Sequence, residues 1–130
     1  MPFVNVKVVK NQVDEDSKKR IVKGLTELIA NVMKRDKTLT TIVIDEIEST
    51  SWAINGKAIE VEKDYVSFVN IKVSKGTTTP EEMSLMINEI KDFMSKTIGN
   101  QVMANYVIID ELNPAGWGFD GLSMLDRSKL

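Results

Sequence analysis

The chain states one pattern twice, sixty-five residues apart, and that duplication limits it to folds built from two equivalent halves. Pro2-Phe3-Val4-Asn5-Val6-Lys7-Val8 returns as Ser67-Phe68-Val69-Asn70-Ile71-Lys72-Val73. The same ungapped shift carries Lys10 onto Lys75, Ile44-Asp45-Glu46 onto Ile109-Asp110-Glu111, Trp52 onto Trp117 and Gly56 onto Gly121. Eleven of the fifty-six positions from Pro2 to Lys57 are identical, where average composition yields roughly three or four. The copies differ in chemical type at their first residue, Pro2 against Ser67.

Each half reads as strand, helix, strand. Residues 3–9 alternate, with Val4, Val6 and Val8 on one face and Phe3, Asn5 and Lys7 on the other. Asp14, with Ser17 three residues on, caps a helix of about twenty residues whose apolar positions Ile21, Val22, Leu25, Leu28, Ile29, Val32 and Met33 fall on one stripe. Thr41–Ile47 is a β-branched second strand, and Trp52-Ala53-Ile54-Asn55-Gly56 ends in a tight turn. In the second half Thr79-Pro80-Glu81-Glu82 is a capping box. Met83, Met86, Ile87, Ile90, Phe93, Met94 and Ile98 form the stripe, and Gly99 stops the helix. Tyr106–Leu112 is the matching strand and residues 116–121 the matching turn. Residues 57–65 read as a charged, exposed connection, and the tail from Leu122 carries no assignable element.

A short-looped strand–helix–strand unit closes as a right-handed crossover with parallel strands. The expected architecture is therefore α/β in two layers, a four-stranded sheet with two helices on one face. The expected organisation is a single domain, 1–130, of two repeats at 2–57 and 67–122, with a connection at 58–66 and a tail at 123–130. Helices on one face leave the other face partly apolar, which points to an oligomer.

Composition narrows the chemistry. Seventeen basic and nineteen acidic residues, net charge -2, show none of the basic excess that nucleic-acid binding needs. No apolar run has the length of a membrane span, and Met1-Pro2-Phe3 lacks the charged and apolar regions of a secretory signal, so the expected location is the cytoplasm. Without cysteine or histidine, thiolate chemistry and the commonest metal ligand and general base are missing, and no metal site is expected. Proton chemistry near neutrality falls to a perturbed carboxylate, lysine or tyrosine, or to the α-amine, whose ordinary pKa already lies close to 7. Removal of Met1 makes Pro2 a free secondary amine; with Met1 attached, its nitrogen is a tertiary amide without basicity.

The opening Pro2-Phe3-Val4-Asn5-Val6-Lys7, the strand Ile44-Asp45-Glu46-Ile47 and the closing Trp52-Ala53-Ile54-Asn55-Gly56 resemble the tautomerase superfamily typified by 4-oxalocrotonate tautomerase. The tandem arrangement, with Trp117-Gly118-Phe119-Asp120-Gly121 closing the second copy, is similar to its fused members. The resemblance implies that Pro2, held neutral in an apolar pocket, is general base and acid for enol–keto proton transfer. The implied substrate is a small 2-hydroxy-dienoate or enol-pyruvate carboxylic acid, with no cofactor and a homotrimeric assembly. The family's substrate-binding arginines fall at Gln12 and near Thr41, neither basic, and the chain's arginines are Arg20, Arg35 and Arg127. In fused relatives an arginine pair ends the second copy's first strand, here Lys75 and Thr77. The resemblance therefore makes Lys75, with backbone N–H groups around Gly76, the expected cation, and Trp117 and Phe119 the expected walls. Trp52 and Tyr106 are further candidates. Hydration, dehalogenation or decarboxylation of a three-carbon acid is the alternative chemistry, and a catalytically silent oligomeric scaffold the alternative class. Ser67 is internal and lacks a free amine, so at most one competent site per chain is expected.

Overall fold

A computed structural model of the chain describes residues 2–130. Met1, and with it the question of whether Pro2 is free, lies outside the described residues. The two halves form one mixed sheet. In the first, β1 (Phe3–Val9) runs into α1 (Glu15–Val32) and returns as β2 (Thr41–Ile47), followed by a hairpin of β3 (Ala53–Ile54) and β4 (Lys57–Ala58). In the second, β5 (Ser67–Ser74), α2 (Pro80–Ile98) and β6 (Tyr106–Leu112) repeat the order. A hairpin of β7 (Gly118–Phe119) and β8 (Leu122–Ser123) follows, then a single turn, α3 (Met124–Arg127). The strand order is β2-β1-β5-β6, parallel within each half and antiparallel between β1 and β5, where Asn5 stands opposite Asn70.

Local chemistry accounts for the elements. The Asp14 carboxylate accepts from the Ser17 N–H at 2.8 Å and opens α1. At α2 the Thr79 hydroxyl accepts from the Glu82 N–H while the Glu82 carboxylate accepts from the Thr79 N–H, 3.1 and 2.9 Å, satisfying two orphan donors at once. Both hairpins turn on a residue pair with positive φ, Asn55-Gly56 and Asp120-Gly121, the conformation a two-residue turn demands.

Strand alternation then sorts the faces. Val4, Val6 and Val8 of β1 and Val69, Ile71 and Val73 of β5 are buried beneath Ile21, Leu25 and Ile29 of α1 and Met86, Ile90 and Met94 of α2. Full burial of such a side chain contributes about 1.5–3 kcal/mol, whereas half-exposed ion pairs such as Lys7–Asp45 contribute at most ~1 kcal/mol; the core sets the stability. Val22 and Ile87, expected on the stripes, stand 42% and 43% exposed at their flanks. The opposite face of the sheet carries Phe3, Val43 and Ile108, each more than a third exposed.

Two stretches differ from expectation. The connection is not wholly exposed: Lys57–Ala58 pairs with β3, and Ile59 and Val66 pack with Val9 in a second cluster beside Trp52 and Ile54. The tail is ordered, with Leu122–Ser123 pairing with β7 and Met124–Arg127 forming α3. The packing of Ile59 and Val66 on Val9 is a contact distant in sequence, whereas the tail is ordered by its own hairpin and by the Ser123 hydroxyl, which accepts from the Asp126 N–H at 3.0 Å. No helix of the described residues is long and apolar enough to cross a membrane.

The helices meet at Gly24. A Cβ there would lie 2.1 Å from Cζ of Phe93, so the ring of α2 occupies the space that an alanine would need. Alanine normally improves a helix by about 1 kcal/mol over glycine, but overpacking costs roughly 1–3 kcal/mol. Gly24→Ala should therefore lower the urea midpoint, and in a Phe93→Leu background the same change should raise it.

Candidate active site

A cavity of about 270 Å³ opens at the N-terminal end of β1. Its floor is Pro2, which is buried and whose carbonyl accepts from the Thr41 N–H at 3.3 Å. Phe3, Leu39 and Thr41 come from the same repeat as Pro2; Lys72, Leu112, Trp117, Gly118, Phe119 and Met124 come from the other. The antiparallel β1–β5 register pairs Phe3 with Lys72, which brings a second-repeat ammonium to the first-repeat proline.

Three contacts position the aromatic wall. The Trp117 indole donates to Ser74 Oγ at 3.0 Å. The Met124 N–H donates to the Trp117 carbonyl at 2.9 Å, closing the hairpin. Arg127 lies over the Phe119 ring, 3.7 Å from its centroid, and its Nη2 donates to the Phe119 carbonyl at 2.7 Å. Gly118 allows that closure, because a Cβ there would stand 2.0 Å from the Leu122 carbonyl oxygen.

The cation is held from below. Lys72 Nζ donates to Asn70 Oδ1 at 2.5 Å and to Asp110 Oδ2 at 3.2 Å, and Asn70 Nδ2 donates to the same Asp110 oxygen at 2.8 Å. The first repeat copies this, with Asn5 at 3.0 Å and Lys7 at 3.4 Å from Asp45 Oδ2. The Asn70 amide first, and then Lys72, hold the Asp110 carboxyl below its ordinary value; Asn5 and then Lys7 do the same for Asp45.

Of the residues expected at the site, Pro2, Trp117 and Phe119 line this cavity, and Lys75 and Gly76 do not. Those two lie in the turn beyond β5, where the Lys75 N–H donates to the Leu112 carbonyl and the Gly76 N–H to the Glu111 carboxylate. The register places Lys72, three residues earlier, beside Pro2 instead. Trp52 and Tyr106 line a different cavity, of about 550 Å³, together with Lys7 and Ser67. Each cavity takes its first residue from one repeat and its cation and tryptophan from the other, so Trp52 cannot face the proline of its own half.

Sequence reasoning missed Lys72 and Arg127. Lys72 carried a signal, since it repeats Lys7 and alternates onto the same face as Asn70. Arg127 carried none, because its stacking on Phe119 exists only once the tail folds back. The other arginines are engaged elsewhere: Arg20 bonds Ser17, and Arg35 bonds Thr77 and Thr78. Among the described residues no group of three or more acidic side chains is arranged to hold a metal ion.

A family model described as "Tautomerase enzyme" matches the chain twice, over residues 2–62 and 68–127. "Probable tautomerase K2" of Dickeya dadantii is 31% identical over 67 residues, 52% of this chain and 100% of that protein. Among solved structures, a native fused 4-OT superposes with a TM-score of 0.86 at 13% identity, over 97% of this chain and 98% of its own. A fused 4-OT described as a wild-type symmetric trimer superposes with a TM-score of 0.82 at 16% identity, over 95% and 96%. At these identities the structures establish the shared fold.

The carboxylates beneath Lys72 and Lys7 generate an acid-side expectation. Both are held below the ordinary 3.8, so their ionised forms favour the fold. Their contribution is complete above the unfolded value of about 3.9 and is lost as pH falls through the depressed folded values. The helix-capping carboxylates Asp14 and Glu82 are lowered too, so the comparison must be with a variant. The urea midpoint should fall on that acid limb, and less steeply in the Asp45→Asn, Asp110→Asn double variant.

Proposed function

Because the chain belongs to the tautomerase family, whose pattern it carries over both repeats, we propose that it is a cofactor-independent tautomerase acting through Pro2 once Met1 is removed. The observation that carries this reading is the burial of Pro2 in a cavity with one facing ammonium, Lys72, and two aromatic walls, Trp117 and Phe119. Burial disfavours an ammonium, so a free Pro2 nitrogen is biased toward the neutral form that accepts a proton.

The proposed substrate is a small enol-pyruvate or 2-hydroxy-dienoate carboxylic acid. Its carboxylate sits toward Lys72, which takes the role expected of Lys75, and the aromatic walls strengthen that charge by excluding water. The Pro2 nitrogen takes the enol hydroxyl proton as the C=C–OH unit becomes a ketone. The prolinium then returns the proton to the distal carbon. No bond to the protein forms and no redox partner is required. Hydration or dehalogenation would require a group to activate water, and no carboxylate lines the cavity among the described residues; proton transfer within the substrate fits better. The part-apolar sheet face, and the trimeric state of the fused relative, support assembly as a homotrimer.

Intact-mass measurement of the cell-expressed protein should show the loss of Met1. The protein should then accelerate ketonisation of phenylenolpyruvate, and Pro2→Ala should reduce that rate to near background. Retention of Met1, or undiminished activity in Pro2→Ala, overturns the assignment. Lys72→Ala should raise KM by about tenfold, the loss of one charge-assisted hydrogen bond, while Lys75→Ala should leave KM unchanged.

A further inference from the structure

The second cavity is the first one's partner under the same shift of sixty-five residues. Ser67 stands in the place of Pro2, Lys7 in that of Lys72, Trp52 in that of Trp117 and Tyr106 in that of Thr41. It is also larger, about 550 against 270 Å³, with Ala104 where the first cavity has Leu39. Ser67 is internal and its nitrogen is a peptide N–H, so proton transfer of the Pro2 kind is unavailable here. The walls are nevertheless not those of a spent copy.

Their polar groups are chiefly donors. Ser67 is 3% exposed; its Oγ accepts from Gln101 Nε2 at 2.6 Å, so its O–H hydrogen is free to turn toward the buried, unpartnered Gln101 Oε1 or toward a ligand. Lys7 Nζ has one partner, Asp45 Oδ2 at 3.4 Å, where Lys72 has two that are closer. The Trp52 indole N–H has no hydrogen-bond partner among the described residues, because Val9 stands where Ser74 serves Trp117. No aspartate or glutamate lines the cavity. With an ammonium, a hydroxyl and an indole N–H on the wall and no carboxylate among the lining residues, a ligand that supplies acceptors here is favoured over one that brings donors. The remaining lining, with Phe68, Ile47, Ile54 and the Tyr106 ring, is apolar and partly aromatic, suited to a flat ring.

We infer that the Ser67 cavity is a second, non-catalytic site that binds a small aromatic monocarboxylate. The carboxylate lies between the Lys7 ammonium and the Ser67 hydroxyl, and the ring against Trp52 and Tyr106. One ammonium specifies one carboxylate. The site does not depend on Pro2 chemistry and stands whether or not Met1 is removed.

Trp117→Phe leaves Trp52 as the sole tryptophan, a reporter inside the cavity. Titration of that protein with phenylacetate should change Trp52 emission saturably. Uncharged 2-phenylethanol should bind about tenfold more weakly, as should phenylacetate to a Lys7→Met variant, each having lost one charge-assisted contact. Ala104→Phe, which fills the cavity, should abolish the response, and Ser51→Phe, on an exposed turn at its rim, provides the same blockade should the first variant lose its native circular dichroism. With both tryptophans restored, Ala104→Phe should retain Pro2-dependent ketonisation. Absence of a saturable response, a response that survives the blocking substitutions in folded protein, or equal affinity for 2-phenylethanol overturns the inference.

Discussion

The antiparallel pairing of β1 with β5 is the interaction on which the rest of the molecule depends. The two strands have nearly the same sequence, and setting Asn5 opposite Asn70 makes each the other's environment. Every consequence of that register occurs twice. Phe3 faces Lys72 and Lys7 faces Phe68, so an ammonium from each repeat arrives at the first residue of the other. A slip of one residue would turn the valines of one strand away from the helices and its asparagine and lysine into the core. Burial of Val4, Val6, Val69 and Ile71 at 0% exposure opposes that slip with the largest energies in the structure.

On the open face the same pairing assembles a polar strip. Asn5, Lys7 and Asp45 on one side, and Asn70, Lys72 and Asp110 on the other, form two equivalent triads. The energetic content of these half-exposed pairs is small, and their value is positional: each fixes the ammonium of a cavity wall. The recurrence of Asp45-Glu46 as Asp110-Glu111 is explained in part by this support. Of the glutamates, Glu46 turns to the helix side, 2.8 Å from Lys18, while Glu111 accepts from the Gly76 N–H.

Near-symmetry makes the few departures informative. Proline against serine decides which cavity holds a potential amine base. Serine against valine, Ser74 and Val9, decides which tryptophan has its N–H engaged. Leucine against alanine, Leu39 and Ala104, contributes to the twofold difference in volume. The tail adds a difference outside the repeat: Arg127 stacks on Phe119, whereas the corresponding segment of the first half continues toward β5 and is tied down by Gln12, which donates to the Val61 and Asp64 carbonyls.

The elements were legible because their causes are local. Alternation over residues 3–9, the Thr79–Glu82 capping box, the apolar stripes and the Asn-Gly turn act within a few residues, and each appears where those residues stand. The family resemblance was legible from the opening proline and the duplication, because both are written in linear order. The composition of the cavities was not. Lys75 looked like the cation by its place in a family pattern, yet register puts Lys72 beside Pro2. Trp52 and Tyr106 looked like companions of Pro2, yet the exchange of partners between halves sends Trp52 to Ser67, and parallel pairing within the second half sets Tyr106 opposite Phe68, beside Ser67. Sequence alone determined that there would be two strand–helix–strand units, which residues each would bury, and that only one begins with proline. Tertiary structure decided which residues from different units meet, because cross-strand register is fixed by burial summed over both strands rather than by the spacing within either.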